Sequence, residues 1–355
     1  MYSIPLLEAL RILTLSIVSF IFALLFTPFL VKMLDKYALL KQVRDAKSAP
    51  VFHKFHEKKA GTPTMGGIII WGTTIIIAVF FWVLHIFLSG FWSDLNFIDR
   101  QQTYLPIAAL LGAGLLGFLD DLLGILKIGP KGGGLSLYHK IFLYALIAAI
   151  GTWWFYYKLD FNWISIPFID SRYFMGWWFI PFSIFVIIAS AFSANETDGL
   201  DGLLGGVSLF AFSSFAVVAF ALGRYDLAAF LAVVIGSLLA FLWFNIYPAR
   251  FFMGDTGSMS IGITLGVVSI LTHTELLLPL FGIILVIESV SVLVQMFSKK
   301  VFGKKLFHST PIHHHFEALG WHESKITMRF WIISAVFSGL GVVLFFLSRL
   351  TLGIG

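Results

Sequence analysis

The chain has 355 residues, of which 59% are hydrophobic and only 12% are charged. A soluble domain carries about 25% charged residues, so this composition excludes an ordinary soluble enzyme and indicates a polytopic membrane protein. Because the chain contains no cysteine, disulfides and thiolate metal sites are excluded as well.

Apolar segments long enough to cross a bilayer recur along the whole chain. We predict an all-α fold with about ten transmembrane helices and with residues 1–355 in a single transmembrane domain. The predicted cores are 11–34, 64–88, 104–127, 141–157, 177–194, 203–222, 227–244, 259–272, 276–297 and 328–349. Arg11 is the only basic residue at the start of the first apolar segment, and no small-residue cleavage site follows that segment. We therefore expect the segment to be retained and not removed as a signal peptide. The piece 158–172 is compatible with a small hairpin.

Lysine and arginine residues are divided unequally between the two sets of connections. Eighteen lie in connections from odd-numbered to even-numbered spans, and six lie on the opposite side. The positive-inside rule therefore places the first set in the cytoplasm and both termini on the outer side. The dense polar motifs also fall in the first set, so we predict the working face there.

The first motif is KKAGTPTMGG at 58–67, before the second span. Thr62 could cap a helix that has Pro63 at its first position. Lys59, Thr64 and the two glycines instead suit a phosphate that approaches a helix N-terminus. Both interpretations remain open.

Asp120 and Asp121 form the second motif, inside the apolar segment 104–128. A charged side chain within the membrane costs a few kcal/mol or more. The two anions also repel each other, and the dipole of a helix disfavours them near its C-terminus. We expect a positive group to compensate the pair, with a divalent cation as the first candidate; the alternative is that the pair reaches the aqueous interface. Gly117 and Gly124 share the helical face of the pair and would admit a close neighbour.

Lys140 follows a glycine-rich loop and fits either an interfacial anchor or a phosphate contact. The third motif, NETDGLDG at 195–202, spaces Asn195, Asp198 and Asp201 three residues apart. In a helix these residues would form one polar stripe, although the glycines make a loop equally possible. Carboxylates between apolar spans are costly without partners, which favours ligand or metal binding.

The fourth motif, NIYPARFFMGDTGS at 245–258, contains Asn245, Phe252 and Asp255. Asp255 or Ser258 could simply cap the eighth span. A helix cap alone, however, explains neither the flanking glycines nor the presence of Asn245 and Phe252 beside the same end of the span. A ligand site is the competing interpretation.

The fifth motif, STPIHHHFE at 309–317, contains His313, His314 and His315. Consecutive helical residues point about 100° apart, so the three imidazoles cannot chelate one ion from a regular helix. They could donate hydrogen bonds to phosphate oxygens or brace carboxylates. A solvated polar turn is the alternative. Together the five motifs suit Mg²⁺-assisted phosphoryl transfer at a membrane surface.

The five motifs, in this order and over ten predicted spans, resemble those of the bacterial phospho-N-acetylmuramoyl-pentapeptide transferase family. The resemblance implies transfer of phospho-MurNAc-pentapeptide from UDP-MurNAc-pentapeptide to undecaprenyl phosphate, giving lipid I and UMP for peptidoglycan. It also implies a requirement for Mg²⁺, a homodimer in the bacterial cytoplasmic (inner) membrane, and no nucleic-acid partner.

By this resemblance, the catalytic residues are Asp120, Asp121, Asp255 and His314. Asp255 is the best candidate for a metal ligand, with Asp120 and Asp121 as further candidates. The positions implied to contact substrate are Lys59, Thr64, Lys140, Asn195, Asp198, Asp201, Asn245, Phe252, Gln295, His313 and His315. Glu196 and Gly124 depart from the family pattern, which commonly has an apolar residue and a lysine there.

A phosphate monoester has a second pKa of about 6 and is mostly dianionic at neutral pH, so a general base would add little. We therefore predict direct attack on the β-phosphate. Two other functions stay open. One is transfer of N-acetylglucosamine phosphate to the same lipid, and the other is cation-coupled transport through intramembrane carboxylates. Against transport, the outer halves of the spans are nearly featureless, with Glu288 and His85 as the clear exceptions.

Overall fold

The computed structural model describes residues 4–36, 61–130, 133–169 and 172–353. Within these ranges the chain is predominantly helical. The long helices are α1 (Ile4–Lys36), α2 (Ile68–Phe87), α4 (Tyr104–Ile125), α5 (Leu137–Lys158), α6 (Phe179–Thr197), α7 (Leu203–Ala221), α8 (Tyr225–Asn245), α9 (Asp255–Leu271), α11 (Ile283–Phe302) and α13 (Glu323–Thr351).

Shorter elements fill the connections between the long helices. They are α3 (Phe91–Asp94), α10 (Leu278–Phe281), α12 (Ile312–Ala318), a 3₁₀ turn (Gly176–Trp178) and the strands β1 (Trp163–Ile164) and β2 (Tyr173–Phe174). The strands pair antiparallel, with Trp163 opposite Phe174 and Ile164 opposite Tyr173. The small hairpin expected in this region is therefore present.

Each of the ten predicted cores overlaps one of the ten long helices of the described residues, although the core 276–297 also includes the short helix α10 and the break at Gly282 before α11. Among the described residues, seven helical segments, the fourth of which includes the 3₁₀ turn, are long and apolar enough to cross a membrane, and α9 is a shorter apolar helix of 17 residues. This establishes a polytopic membrane protein, while the number of crossings and the side of the termini stay predictions. One boundary was wrong: α2 begins at Ile68 with Gly67 as its N-cap, so Thr62 does not cap it and Pro63 is not its first residue.

Helix α9 is the centre of the bundle. Every one of its residues after Asp255 is buried. It packs mainly against α4 and α6. A Cβ atom at Gly262 would come within 2.7 Å of the Ala191 Cα, and one at Gly266 within 2.8 Å of the Ile187 Cα. Small residues let membrane helices approach this closely, which holds α9 against α6.

The connections separate into two ends of the bundle. We call the end formed by 61–67, 126–130, 133–136, 198–202, 246–254 and 303–322 the motif end, because the described parts of all five motifs lie there or on the adjoining helix turns. The opposite end contains 88–103, 159–169, 172–178, 222–224 and 272–282. Contacts across it include Arg11 with Asp226 at 2.7 Å and the Phe168 N–H with Ser348 Oγ at 2.8 Å.

Candidate active site

An ion-pair cluster of Asp120, Lys140 and Asp255 lies at the motif end. Lys140 Nζ is 2.8 Å from Asp120 Oδ2 and also donates to Asp255 Oδ2. The three side chains come from the last turns of α4, the first turn of α5 and the first residue of α9. Asp120 is buried and only 16% of the Lys140 side chain is exposed. Lys140 thus supplies, within the protein, the positive charge expected beside Asp120.

Asp255 is held from a second side by α6. Asn195 Nδ2 donates to Asp255 Oδ1 at 2.5 Å and lies 3.2 Å from Ser258 Oγ. Gly117 of α4 packs directly on the Asp255 backbone, where any Cβ atom would overlap the carbonyl group. The carboxylate of Asp255 is therefore fixed by an ammonium and an amide.

Asp121 has a different environment from its neighbour Asp120. Its Oδ1 accepts the Asp255 N–H at 3.1 Å, and its Oδ2 accepts the Thr256 N–H at 3.0 Å. These N–H groups begin α9 and have no partner within the helix. A negative charge at a helix N-terminus is also favoured by the dipole. Asp121 therefore caps α9 from another helix, and its role as a metal ligand stays a prediction.

The first and fourth motifs pair with each other through their backbones. The Gly66 N–H donates to the Phe252 carbonyl and the Gly67 N–H to the Met253 carbonyl, both at 2.9 Å, while the Phe252 N–H donates to the Pro63 carbonyl at 2.8 Å. Side chains at Gly66 and Gly67 would overlap the fourth motif. Close packing therefore accounts for these glycines without a phosphate.

The first motif supplies two of the residues predicted to contact substrate, Thr64 and Lys59. Thr64 is buried, and a Cβ atom at Gly254 would come within 2.9 Å of its Oγ1 and close to the Asp121 carboxylate. Lys59 lies outside the described residues.

Asn245 and Asp201 fasten two connections together. Asn245 accepts the Gly202 N–H at 3.0 Å and donates to the Phe251 carbonyl at 2.8 Å. Asp201 Oδ2 accepts the Ala249 N–H at 3.0 Å. Both side chains are buried. They therefore shape the rim of the site by fixing its backbone.

The third motif does not form one helical stripe. Helix α6 carries Asn195 but ends at Thr197, and Asp198 is its C-cap. Asp201 lies in the following turn, where its N–H donates to Glu323 Oε1 at 2.6 Å. The loop alternative is correct beyond Thr197. Glu323 was missed by the sequence analysis, and its only signal is a carboxylate at the start of a long apolar helix.

The three histidines of α12 point to different partners. His313 Nδ1 lies 2.9 Å from Glu288 Oε2, and His314 Nδ1 lies 2.6 Å from Glu317 Oε2. The first two imidazoles are buried, so the solvated turn is wrong for them. His315 stacks on His308 with ring centroids 5.2 Å apart. No shared metal is indicated for the three rings.

The pKa of His313 is set by opposing effects. Burial lowers it, but the charge and hydrogen bond of Glu288 outweigh burial, helped by Glu317 and Glu196, and raise the pKa above its ordinary value. The ring borders the third motif, since a Cβ atom at Gly199 would overlap the imidazole. His313 thus lies beside the turn that begins at Asp198, with its protonated form favoured chiefly by Glu288.

Gln295 orders the segment that leads to the histidines. Its Oε1 accepts the N–H groups of Leu306 at 2.9 Å and Phe307 at 3.0 Å, and its Nε2 donates to the Phe307 carbonyl at 2.9 Å. The side chain is buried. The Gln295 amide therefore holds the backbone of Leu306 and Phe307 in place.

Comparison with known proteins agrees with the motifs. The profile of glycosyl transferase family 4 matches residues 103–273, and the phospho-N-acetylmuramoyl-pentapeptide-transferase signature 1 matches residues 59–70. A phospho-N-acetylmuramoyl-pentapeptide-transferase of Geobacillus thermodenitrificans is 37% identical over 92% of this chain and 95% of its own. The chain belongs to the phospho-N-acetylmuramoyl-pentapeptide-transferase family. The resemblance inferred from the motifs is confirmed.

Two other relatives of the same name extend the comparison. The protein of Clostridium perfringens is 38% identical over 90% of this chain and 94% of its own. That of Listeria monocytogenes is 40% identical over 90% of this chain and 93% of its own. Family membership thus rests on nearly full-length similarity to transferases from several bacteria.

Asp120, Asp121 and Asp255 can be compared with the carboxylates that hold Mg²⁺ in phosphoryl-transfer sites. Among the described residues, no group of three or more histidines and carboxylates is arranged to hold an ion. Asp120 Oδ2 and Asp255 Oδ2 nevertheless converge on the point where Lys140 Nζ lies. Mg²⁺ in phosphoryl-transfer sites is usually held by one or two carboxylates, water and substrate phosphates. Asp120 and Asp255 fit that pattern better than Asp121, whose two oxygens accept backbone N–H groups.

Proposed function

We propose that the protein transfers phospho-MurNAc-pentapeptide from UDP-MurNAc-pentapeptide to undecaprenyl phosphate, giving lipid I and UMP for peptidoglycan synthesis. The names of the full-length relatives support this function. The structural observation that carries it is the convergence of Asp120, Lys140 and Asp255 at the end of a membrane bundle. There a lipid-borne phosphate can meet a water-soluble nucleotide.

In the proposed reaction an oxygen of the lipid phosphate attacks the β-phosphorus of the UDP-sugar. A new P–O bond forms, the bond between the β-phosphorus and the bridging oxygen breaks, and UMP leaves with that electron pair. The attacking monoester is mostly dianionic at neutral pH, so no proton must be removed first. The main task of the protein is then to bring two anionic phosphates together.

Lys140 supplies fixed positive charge at this point, and Asn195 keeps Asp255 oriented. Mg²⁺, when bound, neutralises phosphate charge and polarises the reacting P–O bonds. Asp255 and Asp120 would hold it. Asp121 supports them by capping the helix that carries Asp255. His314, braced by Glu317, is proposed to donate a hydrogen bond to a phosphate oxygen.

The nucleotide is proposed to bind along the third and fourth motifs. Phe252 is only partly buried and offers an aromatic face for uracil. Asn245 and Asp201 are proposed to shape this part of the site through the backbone that they hold, and Asp198 and Thr64 to complete its rim. Lys59, outside the described residues, is proposed to contact the nucleotide by the family resemblance alone. Gln295, His313 and His315 are proposed to order or contact the side nearer the sugar phosphate.

The proposed setting is the bacterial cytoplasmic membrane, with the motif end in the cytoplasm, both termini outside and a homodimer as the working unit. The distribution of lysine and arginine supports this orientation. A cytoplasmic motif end also gives the site access to a water-soluble nucleotide substrate.

The decisive experiment uses the purified full-length protein in detergent with undecaprenyl phosphate and Mg²⁺. We expect a lipid diphosphate product from UDP-MurNAc-pentapeptide, identified by mass, with one UMP released per lipid formed. UDP-N-acetylglucosamine serves as the matched alternative donor. Turnover of that donor alone would replace the proposal by the N-acetylglucosamine-phosphate transferase function. No product from either donor would overturn transferase activity.

A further inference from the structure

A polar cavity lies at the opposite end of the bundle from the motifs. It has a volume of about 350 Å³ and lies between the β1–β2 hairpin, the connection after α9 and the end of α13. Ligand pockets for small molecules begin at about this size. None of the residues that line it belongs to the candidate active site.

Three arginines line this cavity: Arg172, Arg224 and Arg349. Within the described ranges, no carboxylate lies within ion-pair distance of any of them. Arg224 donates to the Leu271 carbonyl, and burial without a counter-ion lowers its pKa. The guanidinium of Arg172 lies over the Trp163 ring, 4.4 Å from its centroid. Among the described side chains, the three arginines therefore concentrate positive charge at the cavity without a paired carboxylate.

His273 adds an unsatisfied polar group to the same wall. Its ring stacks on Trp163 with centroids 3.9 Å apart, and its Nδ1 is buried without a hydrogen-bond partner among the residues that the structure describes. Burial, together with the charges of Arg224 and Arg172, lowers the pKa of His273 to about 3. The imidazole is thus neutral and can donate one hydrogen bond. Buried polar atoms are normally paired, so an unpaired one in a cavity wall points to a missing partner.

The nearest described carboxyl group does not cancel the positive charge. Glu275 Oε1 lies 4.0 Å from His273 Nδ1. Burial raises the pKa of Glu275 to about 8, so at neutral pH this side chain is mostly protonated. As far as the described residues go, the lining of the cavity thus has an excess of positive charge at neutral pH.

We propose that this cavity binds a phosphate-bearing anion. Planar guanidinium groups donate two parallel hydrogen bonds to phosphate oxygens, and several of them around one cavity provide both charge and donors. Leu277 and Phe345 form an apolar part of the lining, which suits a phosphate that carries an apolar group. A lipid headgroup and a free phosphate or diphosphate share this chemistry. The site is independent of the proposed transferase function, because no residue is shared.

The absence of cysteine from the chain permits a local test of occupancy. Ser165 is exposed and lines the cavity, so Ser165→Cys places a single thiol there in the full-length protein. The rate of its alkylation by a maleimide is measured with diphosphate, or with chloride at matched ionic strength. It is also measured in lipid nanodiscs of phosphatidylcholine with or without phosphatidic acid. Ligand at about ten times its dissociation constant leaves about a tenth of the sites free, so we expect roughly tenfold slower alkylation.

Two sets of controls make the result specific. In the Ser165→Cys background, the double substitution Arg172→Gln with Arg349→Gln should remove the protection. Arg100 is an exposed arginine at the same end that does not line the cavity, so Arg100→Gln should leave the protection intact. Ser89→Cys, exposed but outside the cavity, should show no protection. Arg172→Gln alone serves if the double variant is not monodisperse.

The outcomes distinguish a soluble phosphate ligand from a lipid headgroup and test whether the cavity binds phosphate at all. Protection by diphosphate supports a soluble ligand, and protection by phosphatidic acid alone supports a lipid headgroup. Equal protection by chloride, equal loss of protection with Arg100→Gln, or no protection by either phosphate source would overturn the proposal. Loss of transferase activity in the same preparations would not bear on it, since the readout is alkylation.

Discussion

Asp121 caps the helix that begins with Asp255, although the two residues lie 134 positions apart in the chain. Its carboxylate accepts the first two N–H groups of α9, at 3.1 and 3.0 Å. One aspartate of the pair is therefore used to place a third aspartate. The other, Asp120, shares Lys140 with that third aspartate.

Replacement of Asp121 should reduce stability as well as turnover. Loss of a helix cap costs about 1–2 kcal/mol, so Asp121→Ala should lower the melting temperature measurably. Asp121→Asn retains one acceptor oxygen and should lie between the wild type and Asp121→Ala. The measurement is thermal unfolding of the detergent-solubilised protein beside UMP release. An Asp121→Ala protein with the wild-type melting temperature would contradict the capping role.

Asp120→Asn should lower turnover by about 100-fold, the size of effect seen when one electrostatic group is removed from an active site. It should also raise the Mg²⁺ concentration needed for half-maximal rate, because one of two converging carboxylates loses its charge. The assay is product formation over a Mg²⁺ titration. Near-normal turnover with wild-type metal dependence would exclude an essential role for this residue.

Lys140→Gln should affect metal binding and catalysis in opposite directions. Without the ammonium, Asp120 and Asp255 lack their shared cationic partner, so the protein without substrate should bind a divalent cation more tightly while turnover falls. Mn²⁺ binding followed by electron paramagnetic resonance provides a readout separate from activity. Removal of one member of a buried ion pair also costs about 3 kcal/mol of stability.

Lys140→Arg is the matched control for that experiment, because it keeps the charge and should keep the wild-type metal affinity. Weaker Mn²⁺ binding by Lys140→Gln than by the wild type would show that the lysine does not compete with a cation for the two carboxylates.

The His313–Glu288 pair predicts a dependence of stability on pH. The pKa of His313 is raised in the folded protein, chiefly by Glu288 acting against burial, so the charged imidazole stabilises the fold. That contribution is fully present below the unfolded value of 6.5 and is lost as the pH rises through the higher folded value. The melting temperature of the wild type should therefore fall as the pH rises from 6.5 through the higher pKa of folded His313.

Glu288→Gln keeps a hydrogen-bond acceptor for the ring but removes the charge. In this variant the alkaline fall should be smaller and should begin at lower pH, although Glu317 and Glu196 still attract the imidazole. Melting curves of both proteins between about pH 5.5 and 9 decide the matter. Superimposable pH profiles would remove Glu288 from this role.

Gly117 tests the close approach of α4 to α9. A Cβ atom there would overlap the Asp255 carbonyl group and the Thr256 Cα, which are backbone atoms and cannot turn aside. Gly117→Ala should therefore destabilise the protein and displace Asp255, with loss of turnover. Gly112 lies in the same helix with open space around it. Gly112→Ala should be neutral or stabilising by up to about 1 kcal/mol, because alanine favours a helix more than glycine does.

Sequence reasoning identified the family and placed the long helices, because apolar length is a local property that a bilayer selects directly. It also predicted that the motifs gather at one end, since successive spans run in opposite directions. The start of α2 was wrong because the pairing of the segment 63–67 with Phe252 and Met253 replaces a local helix cap. That pairing joins residues almost 190 positions apart.

The sequence by itself determined a helical membrane bundle with a polar end and a set of residues for phosphoryl transfer. Only the tertiary structure decided how those residues divide their tasks. Lys140 pairs with both Asp120 and Asp255, Asp121 caps a helix, and Asn245 and Gln295 hold backbone. A carboxylate or amide has the same chemistry in each role. Its function therefore depends on which distant donor the packing of small residues brings within hydrogen-bond distance.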